Sequence, residues 1–418
     1  MAALSRNIDY PLFDADNHYY EPVDMFARYI DAQYAERTFR TEERDGEAVV
    51  LFQGRPFGFV GGSGSKRRIR PGSLRAQLRG DVPVDEPDVD DSYASDPKAR
   101  LAMMDKQGIE ATLMFPSTGV TIENLLRDDP ELLLAHVRAF NRWLAECWSF
   151  DFEHRIFSPA MISLVDPGEA VSQLEFALDH GARAVQMLPG PAVWGRSPAD
   201  PTYDPFWARV QEAGALVTYH LGNSGYMERY SADWGENPDP DGISGTGPVT
   251  VGAALPGQAV GRSAFQWTML YRDRPIMDTL AILIYHNLFG RFPGIQVMSV
   301  ENGSAWVAYL LTAMDNMKGM GRNGPWPGGY VEGKPSEVFK RHVYVSPHHY
   351  GENLAGLVEL IGVERVLFGS DFPHAEGMSA ENDYHDKARE FAAKLGDSDA
   401  ETRQVMRDNG MRLLGISK

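Results

Sequence analysis

The sequence predicts an α/β fold of the (β/α)8 TIM-barrel class, in a single domain that covers residues 1–418. Three observations lead to this prediction: there are eight short apolar segments typical of buried strands, most are separated by helical patterns, and the chain is long enough for a large single domain. Alternating strands and helices indicate a parallel sheet, and eight repeats favour closure of that sheet into a barrel. An open doubly wound sheet has the same local pattern, so periodicity alone leaves closure open.

The predicted strands follow one another at barrel-like intervals. They are Leu12–Asp16, Ile109–Phe115, Ile156–Ser163, Ala182–Leu188, Leu216–His220, Ile295–Val300, His342–Val345 and Val366–Gly369. A helical pattern containing Leu101 and Met104 precedes the second strand, and further helices are predicted at about 130–152, 167–180 and 203–213.

Three stretches do not fit a plain barrel. Residues 38–97 are predicted to be an insertion with a β-hairpin (Ala48–Phe52, then Phe57–Val60) and a charged loop rich in Pro and Gly. Residues 223–262 and 319–336 show little periodicity. Long irregular segments in a compact domain are commonly lids or binding loops.

Composition excludes several classes of function. The net charge of −18 disfavours nucleic acid as a partner, since phosphate would be repelled. No apolar run reaches the ~18 residues that span a bilayer, and the N-terminal stretch lacks the pattern of a signal peptide. The single cysteine, Cys147, cannot form an internal disulfide. We therefore expect a cytoplasmic protein that acts on a small molecule.

Ligand-type side chains cluster where the predicted strands end. They are Asp14, Asp16, His18 and Glu21 after strand one, His220 at strand five, Glu301 after strand six, His348 and His349 after strand seven, and Asp371 and His374 after strand eight. In a barrel these ends converge on one face, where such enzymes place their sites. Converging imidazoles and carboxylates suit a divalent transition metal. Asp16 and His18, two residues apart, can leave a strand end on the same side.

Each residue also has a purely structural interpretation. Asp371 alone has the pattern of a helix N-cap, Asp14 could cap a turn, and His220 alone could be a packed core histidine. His286 lies in the apolar stretch Leu280–Leu288 and is predicted to pack there. The coincidence of four strand ends that carry ligand-type residues favours a site. The sequence lacks a G-x-S-x-G elbow, zinc-finger spacing and a G-x-G-x-x-G motif after a strand.

With these motifs the sequence resembles the amidohydrolase superfamily, in the branch that includes aminocarboxymuconate-semialdehyde decarboxylase. The resemblance is carried by Asp16-x-His18 with Glu21-Pro22, Arg100-Leu101-x-x-Met104-Asp105-x-x-Gly108-Ile109, His220, Arg291-Phe292-Pro293-Gly294 and Gly369-Ser370-Asp371-Phe372-Pro373-His374. It implies a (β/α)8 barrel with a metal at its mouth, held by Asp16, His18, His220 and Asp371. It is also the only reason to expect a homodimer.

The sequence departs from that family pattern at two positions. Asp16 stands where the first motif usually has a histidine, a variation that occurs in this branch. Glu301 stands where strand six of the decarboxylases typically ends in a histidine that serves as general acid and base.

The first functional hypothesis is a metal-dependent hydrolase or decarboxylase that acts on a small carboxylated or amide substrate. One Zn²⁺ or Mn²⁺ would activate water or polarise a substrate oxygen. The candidate catalytic residues are Asp371 as a proton acceptor, Glu301 as a proton shuttle, and the metal ligand His220.

Two alternatives remain open at this stage. The surplus carboxylates suit a dinuclear iron or manganese oxygenase, in which Glu21 or Glu301 would hold a second ion and the product would be hydroxylated. Extra carboxylates also commonly orient metal-bound histidines, which argues against that reading. A barrel that has lost catalysis and acts as a scaffold is the third possibility.

Overall fold

The computed structural model describes residues 8–44, 47–52, 55–56, 70–82, 90–193, 195–236, 263–270, 273–347, 351–379 and 382–416. The strands are β1 Leu12–Tyr19, β2 Arg40–Arg44, β3 Glu47–Phe52, β4 Arg55–Pro56, β5 Ile109–Pro116, β6 Asp151–Phe152, β7 Ile156–Phe157, β8 Ala160–Met161, β9 Ala184–Met187, β10 Leu216–His220, β11 Val297–Val300 and β12 Val343–Ser346.

The helices fill the intervals between these strands and the C-terminal region. They are α1 Met25–Tyr29, α2 Leu74–Arg79, α3 Pro97–Gln107, α4 Ile122–Leu125, α5 Pro130–Cys147, α6 Pro167–Asp179, α7 Asp204–Ala213, α8 Tyr226–Asp233, α9 Ala264–Leu270, α10 Arg274–Tyr285, α11 Leu288–Arg291, α12 Ala305–Met320, α13 Pro335–His342, α14 Leu354–Ile361, α15 Asn382–Ala393, α16 Asp399–Arg403 and α17 Asn409–Leu413. No helix among the described residues is long and apolar enough to cross a membrane.

An Asp-Pro pair begins three of the helices that cover the barrel. Asp96, Asp129 and Asp166 each accept a backbone N–H of the first helical turn, and a proline follows each of them. An aspartate cap satisfies amides that the helix cannot pair, and proline at the first helical position lacks the amide in any case. These local signals therefore fix where α3, α5 and α6 start.

Parallel pairing connects the central strands in two groups. β5 pairs with β1 on one side and β7 on the other, and β8, which continues the segment of β7, pairs with β9. The sheet then continues through β10, β11 and β12. Isolated bridges join Val345 to Val366 and Asn17 to Phe372, so the segment 366–372 links β12 back to β1. The predicted α/β class with a parallel sheet is confirmed, and these isolated bridges are compatible with the predicted closure into a barrel.

Three local predictions differ from the structure. The third predicted strand is split into the short β7 and β8, and Val366–Gly369 makes backbone contacts on both sides without forming a regular strand. The segment predicted to be irregular from residue 223 contains α8, while 237–262 lie outside the described residues. The helical pattern of α8 is only eight residues long. The Gly, Pro and Asp residues that dominate the rest of the stretch concealed it.

The insertion contributes an antiparallel sheet of β2, β3 and β4. Its predicted strand at Ala48–Phe52 is present, whereas Phe57–Val60 lies outside the described residues. Farther along the insertion, the amides of Gly72 and Leu74 donate to the carbonyls of His374 and Ala375. This part of the insertion is thereby anchored to the loop that follows the last barrel segment.

The barrel interior is a packed apolar layer beneath the site. It contains Phe13, Ala15, Ala111, Leu113, Phe115, Phe157, Ala184, Leu216, Met298, Val300 and Leu367, all nearly inaccessible to solvent. Side chains on a strand alternate between the two faces, so the inward positions of β10 run from Leu216 to His220 at the carboxyl end of the strand. The packing therefore supports the polar residues from below.

Candidate metal centre

Six polar side chains meet at the carboxyl ends of the barrel strands. We call them the cluster: Asp16, His18, His220, Glu301, Asp371 and His374. Asp16 and His18 come from the end of β1, His220 is the last residue of β10, Glu301 directly follows β11, and Asp371 lies in the segment 366–372. The sequence predicted that all six would lie at the carboxyl ends of the strands, and the structure brings them together.

The ligand-type atoms lie within one small volume. Nε2 of His220 is 3.2 Å from Nε2 of His18, 3.3 Å from Oδ1 of Asp16 and 3.4 Å from Oε2 of Glu301. Nε2 of His18 is also 3.4 Å from Oδ1 of Asp371. Two atoms that each bind one ion at about 2.1 Å lie roughly 3.0–3.4 Å apart at octahedral to tetrahedral angles. The observed spacings match that range.

Backbone carbonyls determine which nitrogen of each imidazole faces the cluster. Nδ1 of His18 lies 3.2 Å from the carbonyl of Pro116, and Nδ1 of His220 lies 2.7 Å from the carbonyl of Leu221. A carbonyl oxygen only accepts, so both protons belong on Nδ1. Burial, aided by the charge of nearby His374, holds the pKa of His18 well below its ordinary value and keeps the ring neutral. The Nε2 lone pairs therefore point into the cluster, as in metal-bound histidines.

The carboxylates carry more negative charge than the cluster can balance by itself. Burial raises the pKa of Glu301 well above its ordinary value, and Asp371 and Asp16 raise it further. Burial likewise raises the pKa of Asp371, with an added contribution from the neighbouring carboxylate of Glu376. These shifts have the sign expected when like charges share a buried site.

The residues present fit a divalent cation. Two nitrogen lone pairs face each other at 3.2 Å, and among the described residues Oδ2 of Asp371 is buried with no hydrogen-bond partner. Both features are unfavourable in a site without a positive charge. Mixed imidazole and carboxylate donors suit zinc and manganese alike, so the donor set alone does not choose between them.

Two strand-end residues have unusual backbone conformations. Glu301 has φ of 61° and Asp371 has φ of 54°, in the left-handed region that residues other than glycine rarely adopt. The hydrogen bonds from the amide of Glu301 to Ser346 and from the amide of Asp371 to Asp16 hold these conformations. Such residues concentrate at functional sites, where the surrounding structure sustains the strain.

His374 belongs to the cluster although the sequence left its role open. Its Nδ1 lies 2.6 Å from Oδ1 of Asp371, and its Nε2 lies 3.0 Å from the hydroxyl of Ser117. Its ring packs on the ring of His18 with centroids 4.0 Å apart. The spacing Asp371-x-x-His374 was the available signal, but it could not distinguish a ligand from a residue that orients one.

Glu21 is placed differently from the other predicted ligands. Its buried carboxylate accepts the backbone N–H groups of Ser117, Thr118 and Gly119 at 2.9–3.3 Å. Among the described residues it is not part of any group of atoms close enough to share an ion. Its contacts hold the loop that follows β5 against the end of β1.

The remaining histidines are far less informative. His286 follows α10 and is half-buried, with its carbonyl accepting a hydrogen bond from Arg291, in keeping with the predicted packing role. His342 donates from Nδ1 to the carbonyl of Ile295. His348 and His349 lie outside the described residues.

Comparison with known proteins identifies the family and agrees with the fold. The family model described as Amidohydrolase matches residues 13–416. No curated protein matches the chain. An amidohydrolase from Mycobacterium avium subsp. paratuberculosis K-10, known from a crystal structure, is 33% identical with a TM-score of 0.80, over 98% of this chain and all of that one.

More distant crystal structures share the fold over nearly the full length. A dihydroxybenzoic acid decarboxylase from Polaromonas sp. JS666, with bound manganese and the inhibitor 2-nitroresorcinol, is 15% identical with a TM-score of 0.59, over 98% of each chain. A 5-carboxyvanillate decarboxylase from Novosphingobium aromaticivorans, complexed with manganese and a nitrobenzoic acid, is 14% identical with a TM-score of 0.60, over 100% of this chain and 99% of that one. Two of these three structures are named as decarboxylases, and none is named as an oxygenase.

Proposed function

The chain belongs to the amidohydrolase family, and from this premise we propose that it is a divalent-metal-dependent decarboxylase of a small carboxylated substrate. The observation that carries the proposal is the pair of Nε2 lone pairs of His18 and His220, 3.2 Å apart and surrounded by buried carboxylates. Hydroxylated benzoates are the first compounds to test, because two fold relatives are decarboxylases named for such acids.

Four residues would hold the ion: Asp16, His18, His220 and Asp371. A bound divalent ion would act as a Lewis acid that orients the substrate and stabilises developing negative charge. The backbone carbonyls behind the two imidazoles keep both rings in the orientation that binding requires.

Decarboxylation breaks a carbon–carbon bond, releases carbon dioxide and leaves an electron pair on the substrate carbon, which must take up a proton. We assign the delivery of that proton to Glu301. Its carboxyl is buried against His220, and burial raises its pKa well above the ordinary value, which favours the protonated form. His374, hydrogen-bonded to Asp371, would orient that carboxylate.

Hydrolysis is the second candidate, favoured by a different contact. The pair of Asp371 and His374, 2.6 Å apart, has the arrangement of a carboxylate oriented to accept a proton from water. In that case amide or ester substrates would be turned over, and no carbon dioxide would be released.

The test begins with the chain stripped by a chelator and refilled with Mn²⁺ or Zn²⁺. We expect about one ion per chain, and release of carbon dioxide from at least one member of a panel of hydroxylated benzoates. His220→Ala should lose both, whereas His286→Ala, which removes a half-buried histidine elsewhere, should keep both. Wild-type chain that binds neither ion after refilling would refute the proposal. Two iron or manganese ions with oxygen consumption would instead support the oxygenase alternative.

A further inference from the structure

The end of β1 departs from regular pairing where the ligands arise. Along the β1–β5 ladder Asp14 pairs with Thr112 and Asn17 pairs with Met114, so three steps on β1 match two on β5. An extra residue of this kind bends a strand and redirects its side chains. Asp16, one of the proposed ligands, lies within this irregular stretch.

The carboxylate of Asp14 holds that stretch from beneath the cluster. Oδ1 accepts the amides of Asp16 at 3.1 Å and Ser370 at 3.0 Å. Oδ2 accepts from the side chains of Asn17 at 2.8 Å, Ser370 at 2.5 Å and Tyr384 at 3.1 Å. Asp14 itself is wholly buried. Five donors fill the roughly four acceptor positions of a carboxylate, which leaves it no capacity to bind an ion as well.

These contacts connect the two parts of the cluster that are most distant in sequence. Asp16 and His18 belong to β1, whereas Asp371 directly follows Ser370, more than 350 residues later. Because one carboxylate accepts from both Asp16 and Ser370, it fixes the two backbone segments relative to each other. The separation between the ligands from β1 and Asp371 depends on that junction.

We propose that Asp14 is a positioning residue of the metal centre. Its carboxylate accepts hydrogen bonds from both Ser370 and the amide of Asp16, and it thereby sets the distance between the β1 ligands and Asp371. The inference rests on the proposed metal-dependent function. Groups that orient metal ligands typically change metal affinity or activity by about 10–100-fold when they are replaced.

Asp14→Asn tests this with little change in size. The variant keeps one oxygen for the two amides but turns an amide group toward the side-chain amide of Asn17, so the junction must shift. We expect the Kd for Mn²⁺ and Zn²⁺, measured by competition with a chelator on folded protein, to rise about 10–100-fold. The visible absorption of the Co²⁺-substituted protein should change as well, because it reports the ligand geometry.

Asp151→Asn is the matched control. Asp151 is also largely buried and accepts from His154 and Arg183, but it lies at the opposite end of the barrel. It should lower the melting temperature of the metal-free protein while leaving the Kd and the Co²⁺ spectrum unchanged. A general loss of stability would lower the melting temperature of both variants. A change in the Co²⁺ spectrum of Asp14→Asn alone would therefore indicate a change in ligand position.

Equal Kd values and Co²⁺ spectra in wild type and Asp14→Asn would overturn the inference while leaving the proposed function intact. If Asp14→Asn does not fold, Tyr384→Phe, which removes one of the five donors, carries the test. A several-fold rise in Kd supports the inference, and an unchanged Kd overturns it. Wild-type protein that binds none of these ions would refute the proposed function, and this inference with it.

Discussion

Glu301→Gln should stabilise the metal-free protein and weaken metal binding at the same time. Ligand atoms of Glu301, Asp16 and Asp371 lie within 4.8 Å of one another. At that separation two like charges repel by about 3.5 kcal/mol at an effective dielectric constant of 20. Glutamine has nearly the same shape without the charge, so the substitution removes two of the three repulsions in the group.

Proton uptake limits this gain and makes it depend on pH. The raised pKa of Glu301 means that, above the ordinary value of 4.5, the folded chain binds more protons than the unfolded chain. The stability of the metal-free wild type therefore falls as pH rises above 4.5. At pH 8 the cost of taking up one proton is at most about 4.8 kcal/mol, and at pH 5 it is less than ~1 kcal/mol.

We expect a net stabilisation of roughly 2–4 kcal/mol at pH 8 and little change at pH 5. With about 2.1 cal/mol/K of unfolding entropy per residue and 418 residues, this corresponds to a rise in melting temperature of roughly 2–5 °C at pH 8. The measurements are thermal unfolding of chelator-treated protein at the two pH values and metal affinity by competition. We expect the Kd of the variant to be at least ~10-fold higher than that of wild type.

Glu123→Gln is the matched control for this experiment. Burial raises the pKa of Glu123 to about 7, against the opposing effect of its hydrogen bond from Ser163. Its replacement should also stabilise the protein at pH 8, by up to about 3 kcal/mol, and leave metal binding unchanged. If Glu301→Gln destabilises the metal-free protein at pH 8, the charge repulsion attributed to the cluster is refuted.

Three further predictions test the supports of the cluster. Gly377→Ala should abolish metal binding in protein that still folds, measured by elemental analysis, because its Cβ would meet the backbone of Asp371. Arg100→Met should lower the melting temperature by roughly 3 °C or more. The buried guanidinium of Arg100 donates to Tyr93, Asn17 and His18, and its removal would leave three buried acceptors unpaired. At pH 8 the metal-free wild type should melt about 3 °C lower than the same protein in the presence of the ion at about 100 times the Kd. A melting curve that does not respond to the ion would contradict this.

Much of this architecture could be predicted from the sequence. The eight apolar segments and the polar residues after them carry local signals. The alternation of strands and helices and the convergence of Asp16, His18, His220 and Asp371 therefore followed from period and position, whereas closure of the sheet did not. The segment 366–372 shows the limit of that approach. Its place in the barrel depends on backbone contacts with β12 and β1 from elsewhere in the chain, and its own sequence does not specify them.

Glu21 and His374 show why ligand assignment was less certain than ligand convergence. Glu21 has the residue type and position of a ligand, but three backbone amides that the sequence could not place there occupy its carboxylate. The role of His374 was left open, and the structure places it in direct contact with Asp371. In both cases the decisive partner is a group distant along the chain, so residue type alone could not distinguish a ligand from a support.

Glu301, which stands where the family resemblance implies a histidine, changes the balance of charge in the site. Imidazole at this position could be neutral, whereas a third carboxylate close to Asp16 and Asp371 adds repulsion that the fold must absorb. A divalent cation relieves that repulsion, and a proton on Glu301 relieves part of it when the cation is absent. We therefore expect metal occupancy and the protonation of Glu301 to be coupled: binding of the ion should release protons, and more of them in wild type than in Glu301→Gln.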